Sequence, residues 1–67
     1  MYSSLMAEMA RNQHNKRTLT EELNKRGYKI SYYRLCRQMR GESDFEVKEA
    51  RLICDILHSD LQTVFGA

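Results

Sequence analysis

The chain contains no proline, and its 67 residues include only three glycines, Gly27, Gly41 and Gly66. Proline breaks helix interiors and glycine weakens them, so such a chain is free to be helical along most of its length. The glycines then mark where helices stop. This length suits one domain over 1–67 with a single small core, because a short chain hides little of its surface. With 42% hydrophobic and 30% charged residues, the composition is that of a globular chain and not of a disordered one. No uninterrupted apolar run exceeds three residues, which excludes a membrane span and a signal-peptide core. The expected location is the cytoplasm or its equivalent.

Apolar spacing divides the chain into five helices. Tyr2, Leu5, Met6 and Met9 recur at three and four, with Ser3 or Ser4 as N-cap. A polar run from Arg11 to Arg17 follows, part helix and part loop. Thr18-x-x-Glu21 has the form of a capping box, with Thr20 as a second possible cap, and opens a helix of about two turns anchored by Leu19 and Leu23. Gly27 ends that helix. Ser31 caps the third, whose wheel gathers Tyr32, Leu35, Cys36 and Met39 on one face. Tyr33, Arg34, Arg37, Gln38 and Arg40 take the other face, and Gly41 stops the helix. A fourth helix begins near Asp44–Glu46, with Ser43-x-x-Glu46 as one capping box and Val47, Ala50, Ile53, Cys54 and Leu57 as its core stripe. Ser59-x-x-Gln62 opens a fifth, with Leu61, Val64 and Phe65 pointing inward. Strand alternation of useful length is absent, so the fold class is all-α.

The net charge of +2 conceals an asymmetry. Residues 11–40 hold nine lysines and arginines against Glu21 and Glu22, a net +7, while residues 41–67 carry a net −4. A basic middle points to a polyanionic partner. The exposed face of the third helix sharpens this, since it holds three guanidiniums and no acid, where a merely solvated face mixes both signs. A short helix, a glycine-containing turn and a serine-capped basic helix form the pattern of a helix-turn-helix, here about residues 19–40. The second helix of such a pair enters the major groove of double-stranded DNA, where guanine edges and phosphates accept hydrogen bonds. Arg37 is the candidate for bidentate contact with a guanine. Lys29, Arg34 and Arg40 are placed for phosphates on either flank.

Several segments in order resemble the lambda-repressor-like, Cro/C1-type helix-turn-helix domains of phages and prophages. They are Leu19–Leu23, Ile30–Ser31, Leu35, Met39–Phe45, and Glu49–Ala50 through Ile53 to Leu57; Tyr2–Arg11 is similar to the first helix of that family. The resemblance implies a compact five-helix domain that regulates transcription. It also implies base contacts by Tyr32, Tyr33, Arg37 and Gln38. Thr20 and Ser31 would join Lys29, Arg34 and Arg40 at the phosphates. Three departures stand out: the stretch Asn12–Arg17 is longer than usual, so is the turn Gly27–Ile30, and Glu21 takes the place of a common glutamine.

Those departures define a second reading, a helix-turn-helix scaffold that has exchanged DNA for a protein partner. Catalysis is not expected, because no nucleophile with a base, no acid–base pair and no phosphate loop is present. Neither is a metal or cofactor site. Cys36 and Cys54 fall on apolar stripes and read as small buried hydrophobes, and His14 and His58 lack ligand spacing to them. A homodimer is plausible, since palindromic operators match two-fold proteins. The fifth helix or the stretch after the first are the available pairing surfaces.

Overall fold

The helix stops and caps explain the order of elements in the computed structural model, which describes residues 2–66. Its helices are α1 (Ser3–Arg11), α2 (Lys16–Lys25), α3 (Tyr32–Met39), α4 (Val47–Leu57) and α5 (Leu61–Phe65). No strand occurs among the described residues, and no helix there is long and apolar enough to cross a membrane.

Four of the five helices end in the same device, a left-handed residue just beyond the last turn that, with the residue after it, returns two N–H groups to orphan carbonyls. After α2 the left-handed residue is Gly27, where Gly27 N–H donates to Asn24 and Tyr28 N–H to Leu23. After α3 it is Gly41, with Glu42 N–H donating to Arg37. After α1 and α4 the same position is held by Gln13 (φ 60°) and His58 (φ 55°). These side chains accept a conformation that ordinarily costs an L-residue about 1–2 kcal/mol. The glycines therefore mark two of the four such stops.

The N-caps depart from expectation at several helices. Asn15, not Thr18, caps α2: its side chain accepts the Thr18 N–H at 2.9 Å while the Thr18 hydroxyl accepts the Asn15 N–H. This capping box starts α2 two residues before Thr18, so the helix runs ten residues and Lys16 and Arg17 form its first turn. Only residues 12–15 connect it to α1. Thr20, the other candidate cap, lies within α2 and its hydroxyl donates to the Lys16 carbonyl. Tyr2 precedes α1 without a side-chain cap, and Glu46 does the same for α4. Asp60, not Ser59, caps α5 by accepting the Thr63 N–H at 2.7 Å. Ser31 caps α3 as expected.

All five helices contribute to one core. Leu5, Leu19, Leu23, Leu35, Ile53 and Leu57 are fully buried, joined by Val64 from α5 and Ile30 from the turn. Each such side chain contributes about 1.5–3 kcal/mol of burial. α2 packs against α3 and α4, and α5 against α1 and α4. Tyr2, Phe45 and Phe65 meet edge to face, with ring centroids 5.1–6.2 Å apart, and close one end of the core. Cys36 and Cys54 are free and buried.

Three expected core residues lie outside. Met6 is 50% exposed, Val47 68% and Leu61 44%. Val47 and Leu61 are the first residues of their helices and project past the core. The buried residues of α4 are Glu49, Ile53, Cys54, Ile56 and Leu57, so Ile53, Cys54 and Leu57 lie inside as expected and Glu49 and Ile56 join them.

Candidate nucleic-acid interface

Three ties hold the turn between α2 and α3. The first is the stop at Gly27. The second is Asn24, whose side-chain amide donates both to the Thr20 carbonyl (2.8 Å) and to the Ile30 carbonyl (2.9 Å), bridging helix and turn. The third is Tyr28, whose hydroxyl donates to the carboxylates of Glu46 (2.8 Å) and Glu49 (3.2 Å) and fastens the turn to the base of α4. Burial, followed by the adjacent Glu46 and Glu49, pushes the Tyr28 hydroxyl far above its ordinary pKa, so it remains a donor. The long turn is therefore a held one.

On α3 itself, Ser31 Oγ accepts the Arg34 N–H at 3.1 Å, and the hydroxyl proton stays free to donate outward. Tyr33 is 78% exposed, and Arg34, Arg37 and Arg40 are exposed with it. Lys29 lies exposed in the turn just before the helix. Among the described residues Lys29, Arg34 and Arg37 form no salt bridge. Arg40 does, with Glu42 at 2.9 Å, which raises the Arg40 pKa, lowers that of Glu42 and offsets part of its charge. Thr20 is half-buried and spends its hydroxyl proton inside α2.

Tyr32, on the inner face by helical angle, is 40% exposed because it sits in the first turn beyond the core. Its ring stands 6.1 Å from that of Tyr33, and the Arg17 guanidinium lies 5.5 Å from the Tyr32 centroid. A cation over a ring at this distance is attractive. This contact joins the start of α2 to the start of α3, so Lys16 and Arg17 extend the basic surface. A helix beginning at Thr18 would leave both in the polar run that precedes it. The Asn15-x-x-Thr18 spacing was the available signal, since asparagine is the stronger N-cap.

Gln38 corrects the sequence reading. Expected on the outer face as a base contact, it is fully buried and cannot reach a groove. Its amide donates to Glu49 Oε1 at 2.8 Å and to the Asp44 carbonyl at 3.1 Å. The physical reason is α4, whose buried Glu49 meets the Gln38 amide. Glu49 is itself fully buried, and its second oxygen and the Gln38 carbonyl oxygen both lack a partner. Burial pushes the Glu49 carboxyl above the usual carboxylate range, against the pull of its hydrogen bonds from Gln38 and Tyr28. Glu8 is the other buried acid: it accepts the Ser59 hydroxyl at 2.7 Å and pairs with Arg11.

The chain matches no protein-family model, no curated protein and no solved structure.

Proposed function

We propose that the chain is a sequence-specific DNA-binding regulator of the lambda-repressor-like, phage or prophage type, with helix 31–40 in the major groove. One observation carries the reading: Asn24 and Tyr28 tie the turn before α3 to α2 and α4, Gln38 ties α3 itself to α4, and the helix turns Tyr33, Arg34 and Arg37 outward with no acid among its exposed positions. Tyr32, Tyr33 and Arg37 read bases, and Lys29, Ser31 and Arg34 hold phosphates, with Arg17 and Lys16 beside them. Arg40 meets the backbone once Glu42 yields it, and Thr20 lies at the rim. Donors in a fixed array suit the acceptor-rich groove, and cations suit the phosphates.

Selection from a random duplex library tests the reading. The bound pool converges on a motif, specific affinity falls in the range of about 10⁻⁸–10⁻¹¹ M, and binding weakens steeply with salt. An unenriched pool, or an affinity flat in salt, overturns it. The second reading, a scaffold that captures a protein, draws support from Glu21, which is exposed on α2 and would repel a phosphate. It requires a DNA response indifferent to Arg37→Ala.

A further inference from the structure

Two large apolar side chains of the acidic half stand in water, Val47 at the start of α4 and Leu61 at the start of α5. Both line one hollow of about 490 Å³, together with the half-buried rings of Tyr2, Phe45 and Phe65. That volume falls within the range of about 300–1,000 Å³ typical of binding clefts. Asp44 and Glu46 give the hollow a charged edge, and no base lines it; Lys48 and Arg51, exposed on α4, lie outside the lining. Neither acid forms a salt bridge among the described residues. The edge is also held in place. The Asp44 carbonyl accepts the amide of buried Gln38 at 3.1 Å, and the Glu46 carboxylate accepts the Tyr28 hydroxyl at 2.8 Å.

We propose that this groove docks a short cationic segment of another protein, one in which a lysine or arginine stands beside a large apolar residue. The apolar side chain covers Val47 and Leu61 and takes them out of water. The cation lies against Asp44 and Glu46. Its aliphatic stem rests on the rings, and carboxylates and ring faces both attract its charge. Charge rules out a nucleic acid on this face, because two carboxylates without cationic partners repel phosphates. Size rules out a second copy of the chain: a stable pair of globular chains uses about 20–30 residues a side, and eight line this hollow. A peptide needs far less. The held edge lowers the ordering cost of binding, while the small area keeps the affinity micromolar or weaker. No residue of the groove is assigned to DNA above, so the proposal stands apart from that reading.

A random library of short linear peptides, selected on the immobilised full chain without DNA, tests the proposal. Recovered peptides pair a lysine or arginine with a large apolar residue. Titrated into the isotope-labelled chain, they shift the backbone amides of residues 44–47 and 61. Val47→Ser removes the apolar contact and keeps the charge, and Asp44→Asn removes the charge and keeps the size; each weakens a recovered peptide about tenfold. Both sites are exposed, and circular dichroism checks that each variant folds. Should Val47→Ser fail to fold, Leu61→Ser reads the same contact. A pool no richer than one selected on bare support overturns the proposal, as do recovered peptides without cations. So does a loss seen with Asp44→Asn alone, which indicates unspecific charge attraction. Shifts of the groove amides when the chain alone is concentrated make a second copy the occupant and overturn it too. The assay contains no DNA, so its failure leaves the DNA-binding reading standing.

Discussion

Replacing Glu49 with glutamine probes the joint between α3 and α4 without changing its size. Glu49 is fully buried, accepts hydrogen bonds from Gln38 and Tyr28 on one oxygen and nothing on the other. Its pKa is raised by burial, so the folded state holds a proton that the unfolded chain releases above its ordinary value of about 4.3. The sign follows: this stability is fully present below the unfolded pKa and is lost as pH rises toward the folded one. One proton limits the slope to about 1.4 kcal/mol per pH unit in that window. Glutamine keeps an acceptor for Gln38 and Tyr28 and cannot ionise, so Glu49→Gln removes the loss. Urea melts of both proteins from pH 4.5 to 8 read it: wild-type stability declines relative to the variant as pH rises. Asp60 and Glu42 do not blur the comparison. Their pKa values are lowered, by the Thr63 N–H and by Arg40, so their contributions disappear only as pH falls below the ordinary carboxylate range. Glu49→Leu is the harsher change. It leaves the buried Gln38 amide short of a partner, at about 1–3 kcal/mol. A chain of this length has a stability of only about 3–10 kcal/mol. Gln38→Leu with Glu49→Leu recovers most of that loss, since removing both polar partners is nearly neutral. Parallel pH curves for wild type and Glu49→Gln, or an unharmed Glu49→Leu, refute the reasoning.

Gln13→Gly and His58→Gly each raise stability by about 1 kcal/mol, read by thermal melts, because both positions hold an L-residue in a left-handed stop. Asn24→Ala removes the bridge from α2 to the turn and lowers stability by about 1–2 kcal/mol, with faster amide exchange at the turn as the local readout. Arg37→Ala weakens binding to a selected duplex by about 1–3 kcal/mol and relaxes the preference at one base pair, whereas Lys29→Ala lowers the salt slope by about 0.9 and leaves sequence preference intact.

The helical plan was legible because apolar spacing and end signals are local. Ser31, Gly27 and Gly41 act within a few residues of where they stand, and each behaves as its type requires. The α2 start was misread for a local reason too: two capping patterns overlap between Asn15 and Glu21, and the stronger cap prevailed. Gln38 and Glu49 were illegible for a different reason. Helical angle assigns a side chain to a face but not to a depth, and nothing near Gln38 in the chain announces that an acid eleven residues on will cover it. Glu49 lies on the inner stripe with Ile53 and Ile56, yet a carboxylate there is tolerated only because Tyr28 and Gln38 arrive to meet it.

The sequence by itself therefore determined that this chain is all helix, where most of its helices begin and end, and that a net +7 lies in residues 11–40. These follow from interactions reaching no further than one or two turns. Only the tertiary structure decided which polar groups are spent inside and which remain for a partner. That choice removed Gln38 from the outer face of α3 and brought Arg17 to Tyr32. Burial and hydrogen-bond partnership depend on helices far apart in the chain, and they exist only once the helices have packed.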